Sequence, residues 1–231
     1  TIESMNGYDM FGRIDIVIDT NTENTDVDSL LNDTNQFQHV NVSITKHDFS
    51  TQHPFRLTTK HREHMTKKID EYDWFLYTED DTKIPKDTMA FIQNTQVELY
   101  TKQGCLPGMA RMVFDANDQW FFSDERVPCD TVVDTIFGPA KVPKSGYSAC
   151  WCYHKRIMND FVNHACWSDL SGENKNGGIR VKMARGFYAI PNLLFFDSQN
   201  NMKAPVIHLG YCGDYYCKGS AGYHTLPANS L

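Results

Sequence analysis

The stretch YDWFLYTEDDTKIP, residues 72–85, sets four large apolar residues (Trp74, Phe75, Leu76 and Tyr77) ahead of three consecutive acids, Glu79, Asp80 and Asp81. Only Thr78 stands between them. A run of that kind reads as a strand buried on both faces, as in a parallel sheet. Neighbouring carboxylates repel one another, so water, a basic partner or a metal ion must offset them. In open α/β sheets ligands bind outside the carboxyl ends of the strands. The acids stand at such an end. Hard divalent cations prefer carboxylate oxygens and keep positions open for phosphate. The plain alternative is a solvated acidic turn in which Asp caps the next helix.

The flanking pattern is that of an α/β unit. RIDIVID (13–19) and VNVSIT (40–45) alternate like strands, and TIESMNGYDM reads as the tail of a helix closed near Gly7. Phe55 to Ile69 reads as a helix, with Leu57, His61, Met65 and Ile69 on one face and Arg56, Lys60, Arg62, Lys67 and Lys68 elsewhere. A second helix is expected after Pro85. Beyond about residue 105 the pattern loosens. RMVFDANDQWFFSD, VVDTIFG, FYAIPNLLFFD and APVIHLGYC read as strands, YHKRIMNDFVNHAC as a helix and DLSGENKNGG as a loop. No Pro/Ser-rich linker, repeat or low-complexity segment divides the 231 residues, so one domain is expected over 1–231.

Composition narrows the classes. The net charge of −7 argues against nucleic acid as a partner. No apolar stretch reaches the roughly 20 residues of a membrane span; the longest, Tyr188 to Phe196, is interrupted by Pro191. Seven cysteines, an odd number, suggest reduced thiols in a cytosol-like compartment. Cys150-x-Cys152 and Cys212-x4-Cys217 lack the close pairing of zinc knuckles. Sequons at Asn32 and Asn41 keep a luminal origin open. No signal peptide is visible, although the chain opens on Thr1 without Met.

FLYTEDDTKIP resembles the acidic motif of glycosyltransferases with the GT-A fold, in which an apolar strand ends in D-x-D, E-D-D or a close variant. The order of elements fits as well: strand, strand, basic helix, apolar strand, acids, helix, then an irregular half. With the late VIHLG strand, the pattern is similar to the glycosyltransferases encoded by large chlorella viruses, which decorate the capsid protein. The resemblance implies an α/β single GT-A domain with a mixed, mostly parallel central sheet flanked by helices. Its donor half would lie at about 1–105 and its acceptor half at about 106–231. It implies a nucleotide-sugar donor, uridine-linked by preference, a glycan or glycoprotein acceptor, and Mn2+ or Mg2+ as cofactor. A cytoplasmic location follows (the host cytoplasm if viral), with the Golgi lumen as the alternative. That fold opens with a strand and helix that contact the base, and this chain starts late in that helix. Part of the base pocket is therefore expected to be absent or supplied from outside this sequence.

Carried onto these residues, the resemblance makes Asp81 the first metal ligand, Asp80 an alternate, and His208 a third ligand. Glu79 faces the ribose or a metal-bound water. Lys60 and Arg62 are candidates for the diphosphate, because a guanidinium can grip phosphate oxygens bidentately. A solvated helix face explains them equally well. His61 and His64 could share a metal, but Glu63 lies between them and no other ligand is close in sequence. DLSGENKNGGIRVKMARGFY is the expected catalytic loop. Asp169 or Glu173 would take the acceptor proton in an inverting transfer. Gly172, Gly177 and Gly178 would let the loop close, and Arg180, Lys182 and Arg185 would meet the departing diphosphate or merely decorate a strand. Tyr147, Trp151, Tyr153 and His154 could form an acceptor wall, although core packing is the commoner fate of such a cluster. Two other classes stay open: a nucleotidyltransferase, and a non-catalytic carbohydrate-binding protein on the same fold.

Overall fold

The structure is a computed structural model and describes residues 5, 7–21, 39–50, 54–114, 120–122, 128–143, 149–170, 178–184, 192–198, 201–209 and 225–226. These form a mixed α/β arrangement of helices and several small sheets.

The first sheet is parallel. β1 (Ile14–Thr20) and β2 (Val40–Lys46) pair over their full length, with Ile14 opposite Val40 and Thr20 opposite Lys46. A 3-10 turn (Pro54–Thr59) leads into α1 (Lys60–Lys67). His61 of that helix is buried, and Met65 and the following Ile69 pack on the adjoining core, so the apolar face read from the sequence is the face that packs.

β3 (Trp74–Thr78) is covered on both faces. Phe75 and Tyr77 enter one apolar cluster, and Trp74 and Leu76 pack against another. Its described partner is nevertheless antiparallel: β10 (Cys150–His154) runs against it, Trp151 opposite Tyr77 and His154 opposite Trp74. The parallel environment expected of β3 is corrected by this ladder. Double coverage requires only that something apolar lies on each face. Here β10 feeds directly into α3 (Lys155–Val162), whose Ile157, Met158 and Phe161 cover the first cluster. Gln96 is fully buried in α2 (Lys86–Gln103). Its amide donates to Cys152 O at 2.7 Å and accepts from His154 N at 2.8 Å, giving β10 the bonds a further strand would supply. Pro85 stands at the N-cap of α2, and Gly104 ends the helix with φ +64°, where a side chain would be strained.

The sheet that positions the acids runs β15-β7-β6-β14-β4. Its members are β4 (Thr82–Lys83), β6 (Ala110–Phe114), β7 (Trp120–Phe122), β14 (Pro205–His208) and β15 (Thr225–Leu226). β14 lies between β4, antiparallel, and β6, parallel. Elsewhere β5 (Cys105–Pro107) is parallel to β11 (Asn192–Leu194), and two hairpins complete the description. These are β8 (Pro128–Thr135) with β9 (Gly138–Pro143), and β12 (Asp197–Ser198) with β13 (Asn201–Met202). Among the described ladders only β1–β2, β5–β11 and β6–β14 are parallel, so the mostly parallel sheet is not what these residues form. The segment expected as a loop and strand after residue 177 contains a helix, α5 (Gly178–Ala184). A short α4 (Ala165–Ser168) precedes it.

Candidate functional site

Asp81 sits one residue before β4, and β14 carries His208 opposite Thr82. On the other side of β14, Val206 lies opposite Arg111 of β6. Side chains two apart on a strand share a face. One central strand therefore brings together residues 30 and 127 positions away from Asp81. His208 Nε2 lies 2.8 Å from Asp81 Oδ2, and Arg111 Nη2 donates to Oδ1 at 2.9 Å. The backbone closes the arrangement, with Leu209 N donating to Asp81 O at 2.6 Å. The Thr82 hydroxyl donates to Oδ1 at 3.2 Å.

Arg111 answers the question raised by the three acids. Its guanidinium also lies 3.8 Å from Glu79 Oε2, and both side chains are enclosed, 5% and 11% exposed. A permanent internal cation thus cancels one of the three negative charges. The net charge left on Glu79, Asp80 and Asp81 matches one divalent ion. Burial tends to raise the Asp81 carboxyl, but the His208 bond and the Arg111 charge outweigh it and lower it from 3.8 to about 2. The group is a carboxylate at any neutral pH. Its side chain remains 38% exposed, so solvent and ligand can reach it.

Arg111 was not anticipated. Its signal was a single charge inside the apolar run ARMVF: a cation that enters a strand must meet a buried anion. Asp80 is exposed and Glu79 half-buried. The donor chemistry fits a hard divalent ion with some nitrogen affinity. Asp81 Oδ2 and His208 Nε2 offer an oxygen and an imidazole side by side, while Arg111 keeps the other carboxylate oxygen.

The remaining expected residues are scattered. Arg62 is buried and committed elsewhere: Nη1 donates to Cys166 O at 2.6 Å and Trp167 O at 2.8 Å, at the end of α4. Its guanidinium lies 4.8 Å from the Trp167 ring centroid. It therefore leaves the diphosphate set, and Lys60, half-buried at the start of α1, stays in it. Asp169 follows α4 and pairs with Lys182 of α5, a helix rather than the strand expected there. Arg180 lies in α5 as well. Glu173, Gly172, Gly177, Tyr147 and Arg185 fall outside the described residues, as do Asn32, Cys212 and Cys217. Trp151 and Tyr153 are core: their rings stack at 4.9 Å, both buried, and His154 caps α3 by accepting from Arg156 N. Core packing, rather than an acceptor wall, is where the structure puts them.

His61 and His64 part company. His61 is buried, 4.3 Å from the Tyr77 ring and 5.7 Å from Trp151, and burial, with Arg62 beside it, pushes its pKa down to about 3. It is a neutral core residue. His64 turns the other way, to Asp19. Cys105, Cys150, Cys152 and Cys166 carry free thiols, and burial raises that of Cys152 well above its ordinary range. None of the described helices is long and apolar enough to cross a membrane.

Comparison with protein-family models, with curated proteins and with solved structures found no match for this chain.

Proposed function

We propose that the chain is a metal-dependent glycosyltransferase of GT-A type, using a nucleoside-diphosphate sugar, uridine-linked by preference, and a glycan or glycoprotein acceptor. One observation carries the reading. Asp81, last of the three acids, meets His208 at 2.8 Å across 127 residues of chain, and the resemblance of the acidic motif proposes a late histidine as a ligand. In support, the pair lies where β14 ends and the edge strand β4 begins, beside an enclosed arginine, and the Asp81 side chain stays reachable from solvent.

In this reading Asp81 Oδ2 and His208 Nε2 would hold the divalent ion, Mn2+ in preference to Mg2+ because an imidazole is among the ligands, with Asp80 as the alternate acid. The ion's contribution is to offset the charge that develops on the leaving diphosphate. Arg111 keeps Asp81 ionised and fixes the direction of its free oxygen, so it is a positioning residue. Lys60 and Arg180 are the cations assigned to the phosphates. Glu79 takes the ribose side. Asp169 is the carboxylate assigned to the acceptor proton, with Glu173 as alternate. Lys182 masks Asp169 in the resting pair and would release it on turning to an incoming phosphate. A cytoplasmic location, the host cytoplasm if the chain is viral, accords with this proposal, with the Golgi lumen as the alternative.

A thermal-shift screen of sugar nucleotides with and without Mn2+ tests it. The expected result is a rise in Tm for one class of donor, present only with the metal and absent in Asp81→Ala. A donor that stabilises equally well in EDTA would point to a binding protein and end the transferase reading.

A further inference from the structure

A second cluster stands at the carboxyl end of the parallel pair β1–β2. Asp19 is the penultimate residue of β1, His47 follows β2 directly, and His64 comes from α1. His47 Nε2 lies 2.7 Å and His64 Nε2 3.0 Å from the same oxygen, Asp19 Oδ1. Among the described residues this is the one set in which three His, Cys, Asp or Glu donor atoms fall within 4.8 Å of one another. The side chains are enclosed to graded extents: 12% exposed for Asp19, 16% for His47 and 33% for His64. The scaffold is firm on two sides. The β1–β2 ladder continues through Thr20 opposite Lys46, and His47 N donates to Thr20 O at 2.8 Å.

We infer that Asp19, His47 and His64 form a binding site for a divalent transition-metal ion of the Zn2+ class. Two imidazoles and one carboxylate make a three-ligand set that leaves a fourth position open. Imidazole nitrogen disfavours Mg2+ and Ca2+, which take oxygen ligands. At zinc–ligand distances of about 2.0–2.1 Å, ligand atoms around a tetrahedral ion lie about 3.3 Å apart. Opening the two carboxylate–imidazole separations of 2.7 and 3.0 Å to that value takes shifts of about 0.3–0.6 Å, and the two imidazole nitrogens, already within 4.8 Å, settle to the same spacing. The ion would replace the protons that now link the two Nε2 atoms to Asp19. The least enclosed member, His64, marks the side on which the fourth position opens. That position suits a water or a phosphate oxygen, at the strand end where α/β sheets take their ligands. The ion would tie β1, the segment after β2 and α1 together. This site shares no residue with the Asp81 cluster.

The test uses the tag-free chain, stripped with a chelator and titrated with Co2+ and then Zn2+. Visible absorption of bound Co2+ reports coordination, and calorimetry counts the equivalents. In the Asp81→Ala background, where the Asp81–His208 pair cannot contribute, the expected outcome is one equivalent of Co2+ with a low-symmetry visible spectrum, displaced by Zn2+. The signal weakens at least 100-fold when His64→Gln or Asp19→Asn is added to that background. Circular dichroism confirms that each variant is folded, and the wild-type titration stands whether or not a variant folds. A wild-type chain that binds no Co2+ overturns the inference. So does a signal that survives His64→Gln in the Asp81→Ala background, or one that disappears with Asp81→Ala alone. The last result would leave the glycosyltransferase reading standing while removing this site.

Discussion

Two carboxylates in this molecule are each gripped by two basic side chains, and the second basic partner separates them. Asp81 is held by His208 and by Arg111, and Asp19 by His47 and His64. A guanidinium stays charged and cannot be a ligand, so Asp81 carries a built-in counter-ion and has one oxygen to offer. Both partners of Asp19 are imidazoles, which can give up a proton and turn a lone pair toward a metal. The first arrangement lets an enclosed anion exist without an ion present. The second becomes a strong cation site once its bridging protons are exchanged. A run of three acids in sequence thus marks the partly neutralised site. The fuller set of metal donors is assembled from isolated residues.

Removing the fixed cation breaks the comparison most sharply. Arg111→Met leaves Glu79 without its enclosed cation and Asp81 with only His208, and because Asp81 is 38% exposed the cost stays at the low end of the about 3–5 kcal/mol of a broken buried pair. A urea titration should show that loss as a lowered midpoint. Asp81→Asn removes the acid and leaves Arg111 with Glu79 at 3.8 Å, so the expected cost falls to about 1–3 kcal/mol. His64→Gln at the other site should cost no more than about 1 kcal/mol in metal-free buffer, because that pair is partly solvated. If it costs as much as Arg111→Met, the two sites do not differ as described.

Acid sharpens the contrast. The folded pKa of Asp81 is lowered, so its contribution is fully present above the ordinary carboxylate value near 4. It is lost as pH falls through about 2. His61, neutral and buried, acts earlier. Its folded value of about 3 lies below the unfolded value of 6.5, so stability declines from about pH 6.5 down to about 3. His61→Phe should flatten the upper part of the acid limb and Asp81→Asn the lower part, both readable from urea midpoints at a series of pH values.

The sequence was legible where local pattern and tertiary demand agree. Alternation in RIDIVID and VNVSIT marks β1 and β2, and Pro85 marks the start of α2. It was illegible where a contact depends on strand order. CWCYH has no period because both its faces are covered, so β10 did not announce itself as a strand. Nothing local says that β10 opposes β3. The Asp81–His208 pairing came from the resemblance of the motif, not from any local signal. Arg111 was hidden because a lone cation in a strand names no partner. The weak reading of His61 with His64 failed on geometry, since one enters the aromatic core and the other faces outward. The ligands His64 does meet lie 45 and 17 positions upstream, on segments that only the parallel β1–β2 pairing aligns.

The most direct test of the central claim is calorimetric titration of the purified chain with uridine diphosphate in Mn2+, repeated with His208→Ala and Asp81→Ala. One-site binding is expected in the wild type, abolished by EDTA and weakened at least 100-fold in either variant, with His64→Gln unaffected. Absence of nucleotide binding in the presence of Mn2+, or binding indifferent to both Asp81 and His208, would contradict it.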